Sequence, residues 1–295
     1  MTLVSTSGAR LGAKLRLYLR LTRIDRPVGT LLLLWPTLAG LWFAAGGWPG
    51  WTLLGLFVAG TWLMRSAGCA LNDVADRRFD AHVKRTAGRV VATGEVSVPE
   101  ALAVAAVLAL LAASTLIWLS NAARVASLAA VALAISYPFF KRFFDIPQAV
   151  LGIAFSFGIP MAFAAVQGRI PALAWWMLGA NFFWVMAYDT QYAMVDRDDD
   201  LKLGVRSSAI LFGRSDVLAI GISYTVYFGT LAELSRMQGA AAGFAVGWVA
   251  AVACAAYGLA LTRRRQRDEC FRAFLHNQWV GLAIFAGTVL DFATR

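Results

Sequence analysis

The chain has 295 residues, of which 59% are hydrophobic and only 15% charged, and its formal net charge is +10. An ordinary soluble domain carries roughly 25% charged residues, so a soluble globular fold is excluded. Apolar runs of about 18–22 residues are long enough to cross a bilayer as helices, whereas an outer-membrane barrel would show short alternating segments.

Residues 1–27 come first. They lack the charged-then-apolar-then-cleavage pattern of a removable signal peptide. They read as a basic amphipathic helix on the cytoplasmic surface, or as a plain topology anchor. In the first reading Leu11, Leu15, Tyr18, Leu19 and Thr22 face lipid while Lys14, Arg16 and Arg20 face head groups.

Residues 28–295 read as one transmembrane domain. Nine spans are predicted, at roughly 28–45, 52–71, 99–119, 122–139, 148–166, 172–191, 215–234, 240–261 and 275–293. The fold class is therefore all-α and polytopic, a bundle of about nine helices around a central cavity that opens to the cytoplasm and laterally to the bilayer. Sorted by this topology, 22 Lys and Arg residues fall on one side and four on the other, with Arg65 inside the second span. That bias makes the N-terminus cytoplasmic. It also explains the basic balance as topology, with no nucleic-acid partner implied.

The loops on the opposite side are tight turns of Gly, Pro, Asn and Ser, such as 46–50 and 167–171. Two cytoplasmic loops are longer, at about 81–97 and 201–214, and chemistry is expected at that end. Cys69, Cys254 and Cys270 have no paired spacing, so neither a disulfide nor a zinc site is expected. His82 and His276 likewise lack partners at ligand spacing.

The second and sixth spans each end in an acidic motif. The first runs Asn72-Asp73-Val74-Ala75-Asp76-Arg77-Arg78-Phe79-Asp80 and the second runs from Asp189 to Asp200. Each step of four on a helix turns by about 40°, so Asn72, Asp76 and Asp80 share a stripe, as do Asp196 and Asp200 with Asp189 two turns deeper. Asp73 lies about 100° off its stripe and faces a neighbouring helix. Asp198 and Asp199 face elsewhere, toward solvent or behind the stripe. Carboxylates at membrane depth cost roughly 2.5–3.5 kcal/mol on insertion scales. Two matching sets ask for shared cations, and hard oxygen donors suit Mg²⁺ held together with phosphate oxygens.

A basic cluster follows each motif: Lys84-Arg85-Thr86, then Lys202 with Arg206-Ser207-Ser208. Such cations can neutralise a diphosphate. The recurrence after about 120 residues suggests two similar halves facing one cavity.

These motifs resemble those of the UbiA-type intramembrane aromatic prenyltransferases, in which the first motif is Asn-Asp-x-x-Asp-x-x-x-Asp and the second contains Asp-x-x-x-Asp. Residues 31–37, 65–73, 82–86 and above all 188–200 are similar to the branch that acts on 4-hydroxybenzoate. The likeness is close over the first seven spans and loose over the last two. Val90 stands where that family usually has proline.

The resemblance implies an enzyme of the bacterial inner membrane, used in ubiquinone biosynthesis. It implies Mg²⁺-dependent transfer of a polyprenyl group from polyprenyl diphosphate to the ring carbon ortho to the hydroxyl of 4-hydroxybenzoate. Asn72, Asp76 and Asp80 would hold one Mg²⁺, and Asp196 and Asp200 the other with help from Asp189. Asp189 is also the candidate to assist the phenol or take the ring proton. Arg65, on the first stripe, either binds the substrate carboxylate or pairs with an aspartate; Arg142 is a second candidate for the carboxylate. Tyr137 and Lys141 are candidates for diphosphate, or an interfacial anchor pair. An allylic cation needs a dry aromatic cavity, for which Trp175, Trp176, Phe182, Phe183, Trp184, Phe155, Phe157 and Phe163 are available. The isoprenoid tail would leave between helices into membrane lipid.

Other readings are a related transferase with another acceptor, a secondary transporter and a CDP-alcohol phosphotransferase. The last lacks its Asp-Gly-x-x-Ala-Arg signature here. Carboxylates at span ends, followed by basic residues, favour diphosphate chemistry over ion coupling.

Overall fold

The computed structural model describes residues 3–140 and 143–295, with side chains from residue 12 onward except Pro138. Lys141, Arg142 and the side chain of Leu11, singled out above, lie outside the described residues. Twelve helices follow in order: α1 (Leu3–Leu21), α2 (Val28–Ala45), α3 (Trp51–Asp80), α4 (Val98–Thr115), α5 (Asn121–Phe140) and α6 (Pro147–Ser156), then α7 (Gly158–Gln167), α8 (Ala172–Leu203), α9 (Ser208–Phe212), α10 (Asp216–Met237), α11 (Ala242–Thr262) and α12 (Arg267–Thr294). There are no strands among the described residues. Among the described residues, seven helical segments are long and apolar enough to cross a membrane. Two predicted spans fall outside that set: α5, whose apolar stretch Asn121–Tyr137 is shorter, and α8, whose buried length carries Asn181, Asp189, Thr190 and Gln191.

The predicted span 148–166 is present as one segment, Pro147–Gln167, built of two helices that meet at Phe157. Gly158 opens α7 directly against α2, where a Cβ would collide with Thr37, and Pro160 adds a ring that cannot donate a backbone hydrogen bond. On the far side of the bundle α11 and α12 approach through glycines. A Cβ on Gly247 would lie 2.6 Å from the Gly287 Cα, and one on Gly243 would lie 2.7 Å from the Asp291 Cα. Bulkier residues would force these backbones apart.

A buried polar network ties α8 to α10, α11 and α12. The Asn277 Oδ1 accepts from Trp184 Nε1 at 3.0 Å and from the Tyr224 hydroxyl at 2.8 Å, while its Nδ2 donates to Gln191 Oε1 at 2.8 Å. Gln191 Nε2 in turn donates to Thr262 Oγ1 at 3.0 Å. Buried amides are costly unless satisfied; here each finds partners, and together they join four helices.

The N-terminal helix makes specific contacts with the rest of the protein. Tyr18 donates to Glu100 at 2.6 Å and Lys14 pairs with the same carboxylate at 2.6 Å. Arg20 reaches Glu95 at 3.1 Å and the Gly88 carbonyl at 2.9 Å. Leu21 and Thr22 are buried. Tyr18, Thr22, Lys14 and Arg20 are thus spent on the protein, and α1 clasps the 81–97 loop; Leu15 stays exposed.

Candidate active site

Both acidic helices run past their apolar portions: α3 remains helical to Asp80 and α8 to Leu203, where Gly204 ends it at φ 68°. The motifs are therefore helical throughout, and the spacing of four does bring the stripes together. Asn72, Asp76 and Asp80 from α3 and Asp189, Asp196 and Asp200 from α8 line one cavity of ≈ 150 Å³, along with Tyr137 and Arg206.

The 81–97 loop folds back over this cavity. Thr86 Oγ1 donates to the Asp80 carbonyl at 3.1 Å. Arg85 crosses from the loop to the second motif, with its Nε 3.0 Å from Asp196 Oδ1 and its guanidinium 4.3 Å from the Tyr192 ring centre. Arg89 donates to Asp80 at 2.8 Å and contacts Asp73 at 3.2 Å. Burial opposes the charge on each arginine. For Arg85 the Tyr192 and Asp196 oxygens outweigh it, and for Arg89 the Asp73 and Asp80 carboxylates do, so both stay above the ordinary guanidinium value. Val90, in place of the usual proline, is buried in an apolar cluster with Leu21, Ala70 and Val96. It gives the loop an anchor of packing instead of a fixed φ.

The other face of the second motif is clamped. Asp199 accepts from Arg267 at 3.0 Å and from the Lys84 amide at 3.3 Å, so it is neither solvent-exposed nor in the cavity lining. Arg197 and Arg265 both pair with the fully buried Asp216, at 3.4 and 2.8 Å. Asp73 turns away from its stripe toward Arg23, at 2.8 Å.

Some expected residues stay outside. The side chains of Lys84 and Lys202 are exposed and do not line the cavity. Arg65 lies deeper; its Nη1 donates to Cys69 Sγ at 2.7 Å, its guanidinium sits 5.8 Å from the Phe155 ring centre, and its buried Nε has no hydrogen-bond partner. Arg206 lines the cavity but is tied to Asp145 at 2.7 Å. Trp175 and Trp176 are exposed on the outside of the bundle, and Trp184 is in the core network. The rings at the cavity are Phe79, Tyr137 and Tyr192.

Several lining or supporting residues escaped the sequence reading of the site, among them Arg89, Tyr192, Gln148 and Asp216. Arg89 and Tyr192 each sit four positions from a recognised residue, a signal that could have found them. Gln148, which accepts from the Ser208 amide at 2.9 Å, and Asp216 carry no local signal.

No three His, Cys, Asp or Glu side chains among the described residues converge closely enough to hold an ion alone. The carboxylates instead stand around the wall opposite arginines. That donor set fits Mg²⁺, which takes one or two protein carboxylates and fills the rest with water and phosphate oxygens.

An apolar helical bundle with a carboxylate- and arginine-walled cavity defines an integral membrane protein with a charged internal site. The chain belongs to the UbiA prenyltransferase family, whose profile matches residues 33–282. It is 58% identical over 283 residues to the 4-hydroxybenzoate octaprenyltransferase of Cupriavidus metallidurans, covering 96% of each chain. It is 56% identical to that of Herminiimonas arsenicoxydans, covering 96% of this chain and 99% of the relative. Among solved structures, a UbiA homolog from Aeropyrum pernix K1 superposes with a TM-score of 0.80 at 24% identity, covering 90% of this chain and 98% of the other. A UbiA homolog from Archaeoglobus fulgidus bound to GPP and Mg²⁺ gives 0.62 at 21% identity, covering 75% and 78%. These two share the fold.

Proposed function

We propose that this protein transfers a polyprenyl group from polyprenyl diphosphate to the ring carbon ortho to the hydroxyl of 4-hydroxybenzoate, giving 3-polyprenyl-4-hydroxybenzoate for ubiquinone biosynthesis. The observation that carries this reading is 58% identity, along 96% of both chains, to a 4-hydroxybenzoate octaprenyltransferase. The same relative's name makes an octaprenyl donor the first to test.

The cavity supports the chemistry. Asn72, Asp76 and Asp80 on one wall and Asp196 and Asp200 on the other would hold Mg²⁺, which supplies charge neutralisation for the departing diphosphate. Arg85, Arg89 and Arg206 add fixed positive charge where that leaving group gathers negative charge. The C1–O bond of the donor breaks, and the allylic cation lies among Tyr137, Tyr192 and Phe79, whose π faces stabilise it. The ortho carbon of the phenol attacks C1. The ring proton then passes to a carboxylate, and we assign that role to Asp189, which is buried and lines the cavity. Arg65 is not part of the cavity lining but lies deeper with an unspent buried N–H, and it is the cation assigned to a substrate carboxylate that reaches past the lining.

Residues 28–295 form one catalytic domain of two similar halves, with α1 as a surface clasp. The strong basic bias puts the cavity end at the cytoplasmic face of the bacterial inner membrane. The test is direct. Membranes containing the protein, given 4-hydroxybenzoate, octaprenyl diphosphate and Mg²⁺, should yield a ring-prenylated acid. No product under those conditions overturns the reading.

A further inference from the structure

Arg23 occupies an unusual position. Its φ is 58°, a left-handed conformation that residues bearing a Cβ adopt sparingly. The turn it makes between α1 and α2 aims its guanidinium inward. Nη1 donates to the Arg20 carbonyl at 2.7 Å, and Nη2 reaches both Asp73 oxygens at 2.8 and 3.2 Å. Strain at a named residue, held by specific contacts, is a pointer to function.

Asp73 is only 1% exposed, and Arg89 bridges it to Asp80. The four side chains form an unbroken line, Arg23–Asp73–Arg89–Asp80, with two charges of each sign. Only the inner half of the line, Arg89 and Asp80, lines the cavity. Arg89 therefore has two competing carboxylates. One belongs to the site, and the other is a buried charge that needs a cation whatever happens in the site.

We infer that Arg23 is a positioning residue for diphosphate binding: by satisfying Asp73 from outside the cavity, it releases Arg89 to follow Asp80 and the incoming diphosphate. Without Arg23, Asp73 is left with Arg89 alone and holds it away from the phosphates. Because Arg23 sits at the end of α1, and Arg20 of the same helix grips the loop at Gly88 and Glu95, seating of the N-terminal helix is coupled to the charge available in the site. This rests on the prenyl-transfer reading and adds a residue, far from the substrate, on which donor affinity depends.

The test is a charge-cancellation series on the full-length protein. Tryptophan fluorescence would measure binding of a non-reactive thio-linked geranyl diphosphate with Mg²⁺, alongside KM for both substrates. Arg23→Leu should weaken analogue binding about tenfold, the size expected for coupled neighbours, and raise KM for the diphosphate with KM for 4-hydroxybenzoate unchanged. Asp73→Asn, and the double variant Arg23→Leu/Asp73→Asn, should bind within about threefold of the parent, because the competitor for Arg89 is gone. A merely structural defect in Arg23→Leu would also be relieved by removing Asp73, because the uncompensated buried charge goes with it; it is told apart by raising KM for both substrates alike, and that result overturns the inference. Parent-like binding by Arg23→Leu, or a double variant as weak as Arg23→Leu, overturns the inference. Should Arg23→Leu fail to fold, Arg23→Gln takes its place on the same criteria, and a double variant about tenfold or more weaker than the parent overturns the inference. Failure of the parent protein to bind the analogue would instead overturn the prenyl-transfer reading itself.

Discussion

Arg85 and Asp196 meet across the cavity, the guanidinium of a loop residue lying edge-on to a carboxylate of the second motif, Nε to Oδ1 3.0 Å, and stacked over Tyr192. The contact joins the loop after one motif to the helix of the other, so it closes the cavity and places a cation beside the leaving group at once. Arg85→Leu should lower kcat/KM for the polyprenyl diphosphate by about 10²–10³, the usual loss for one preorganised charge-stabilising donor. Arg85→Lys should fall between, since an ammonium keeps the charge but neither forks onto Asp196 nor stacks on Tyr192. Steady-state kinetics in nanodiscs check both; a lysine variant as poor as the leucine one would show that geometry alone matters.

Asp76→Ala and Asp196→Ala should each abolish turnover, by about 10³-fold or more, while the protein still inserts and elutes as the parent does. Asp76 is one of two carboxylates on its stripe and Asp196 one of three. Retained activity in either purified variant would remove that residue from the metal-holding set.

The acidic stripes were legible because a spacing of four on a helix is local geometry, and a carboxylate near a span end is conspicuous against an apolar background. Asp76, Asp80, Asp196 and Asp200 do converge on one cavity. What could not be read is set by contacts between residues distant in sequence. Lys84 and Arg85 are adjacent in the same basic cluster, yet only Arg85 enters the site; the turn of the loop, fixed by Thr86 on Asp80, decides which. Asp199 belongs to the same acidic run as Asp196 but faces Arg267. Tyr18 and Lys14 suited lipid and head groups until Glu100, 82 residues on from Tyr18, supplied a partner. The break within the predicted span at 148–166 had a local signal in Gly158 and Pro160, outweighed by an uninterrupted apolar run.

Arg65→Leu should raise KM for 4-hydroxybenzoate about tenfold or more and leave KM for the diphosphate unchanged. Hydrogen bonds to charged groups contribute roughly 1.5–3 kcal/mol, and Arg65 has a buried Nε with no partner to lose. An unchanged KM for the acid would assign the carboxylate to another residue.

Gly247→Ala should destabilise the bundle without touching chemistry. Its Cβ would stand 2.5 Å from the Ala283 carbonyl oxygen and 2.6 Å from the Gly287 Cα, both backbone atoms that cannot swing aside. Overpacking of this kind costs about 1–3 kcal/mol. Thermal unfolding in detergent should shift down, with both KM values unchanged; an unaltered midpoint would mean that α11 and α12 separate easily.

Asn277 is the hub of the buried network, and it tests whether that network positions the site or only holds the helices together. Asn277→Leu strips Trp184 Nε1 and the Tyr224 hydroxyl of their short hydrogen bonds and takes one donor from Gln191. Leaving a buried polar group unsatisfied costs about 1–3 kcal/mol each, whereas replacing both partners with apolar groups of similar shape can be nearly neutral. Gln191→Met/Asn277→Leu should therefore recover part of the lost thermal stability. Gln191 follows Asp189 by two residues on α8, so a helix freed to rotate would misplace the deep carboxylate. If the network positions the site, the double variant regains stability but keeps a kcat well below that of the parent. If it only holds the bundle, kcat returns with the melting midpoint, and the orientation of α8 must come from the Asp199–Arg267 and Arg197–Asp216 pairs at its end instead.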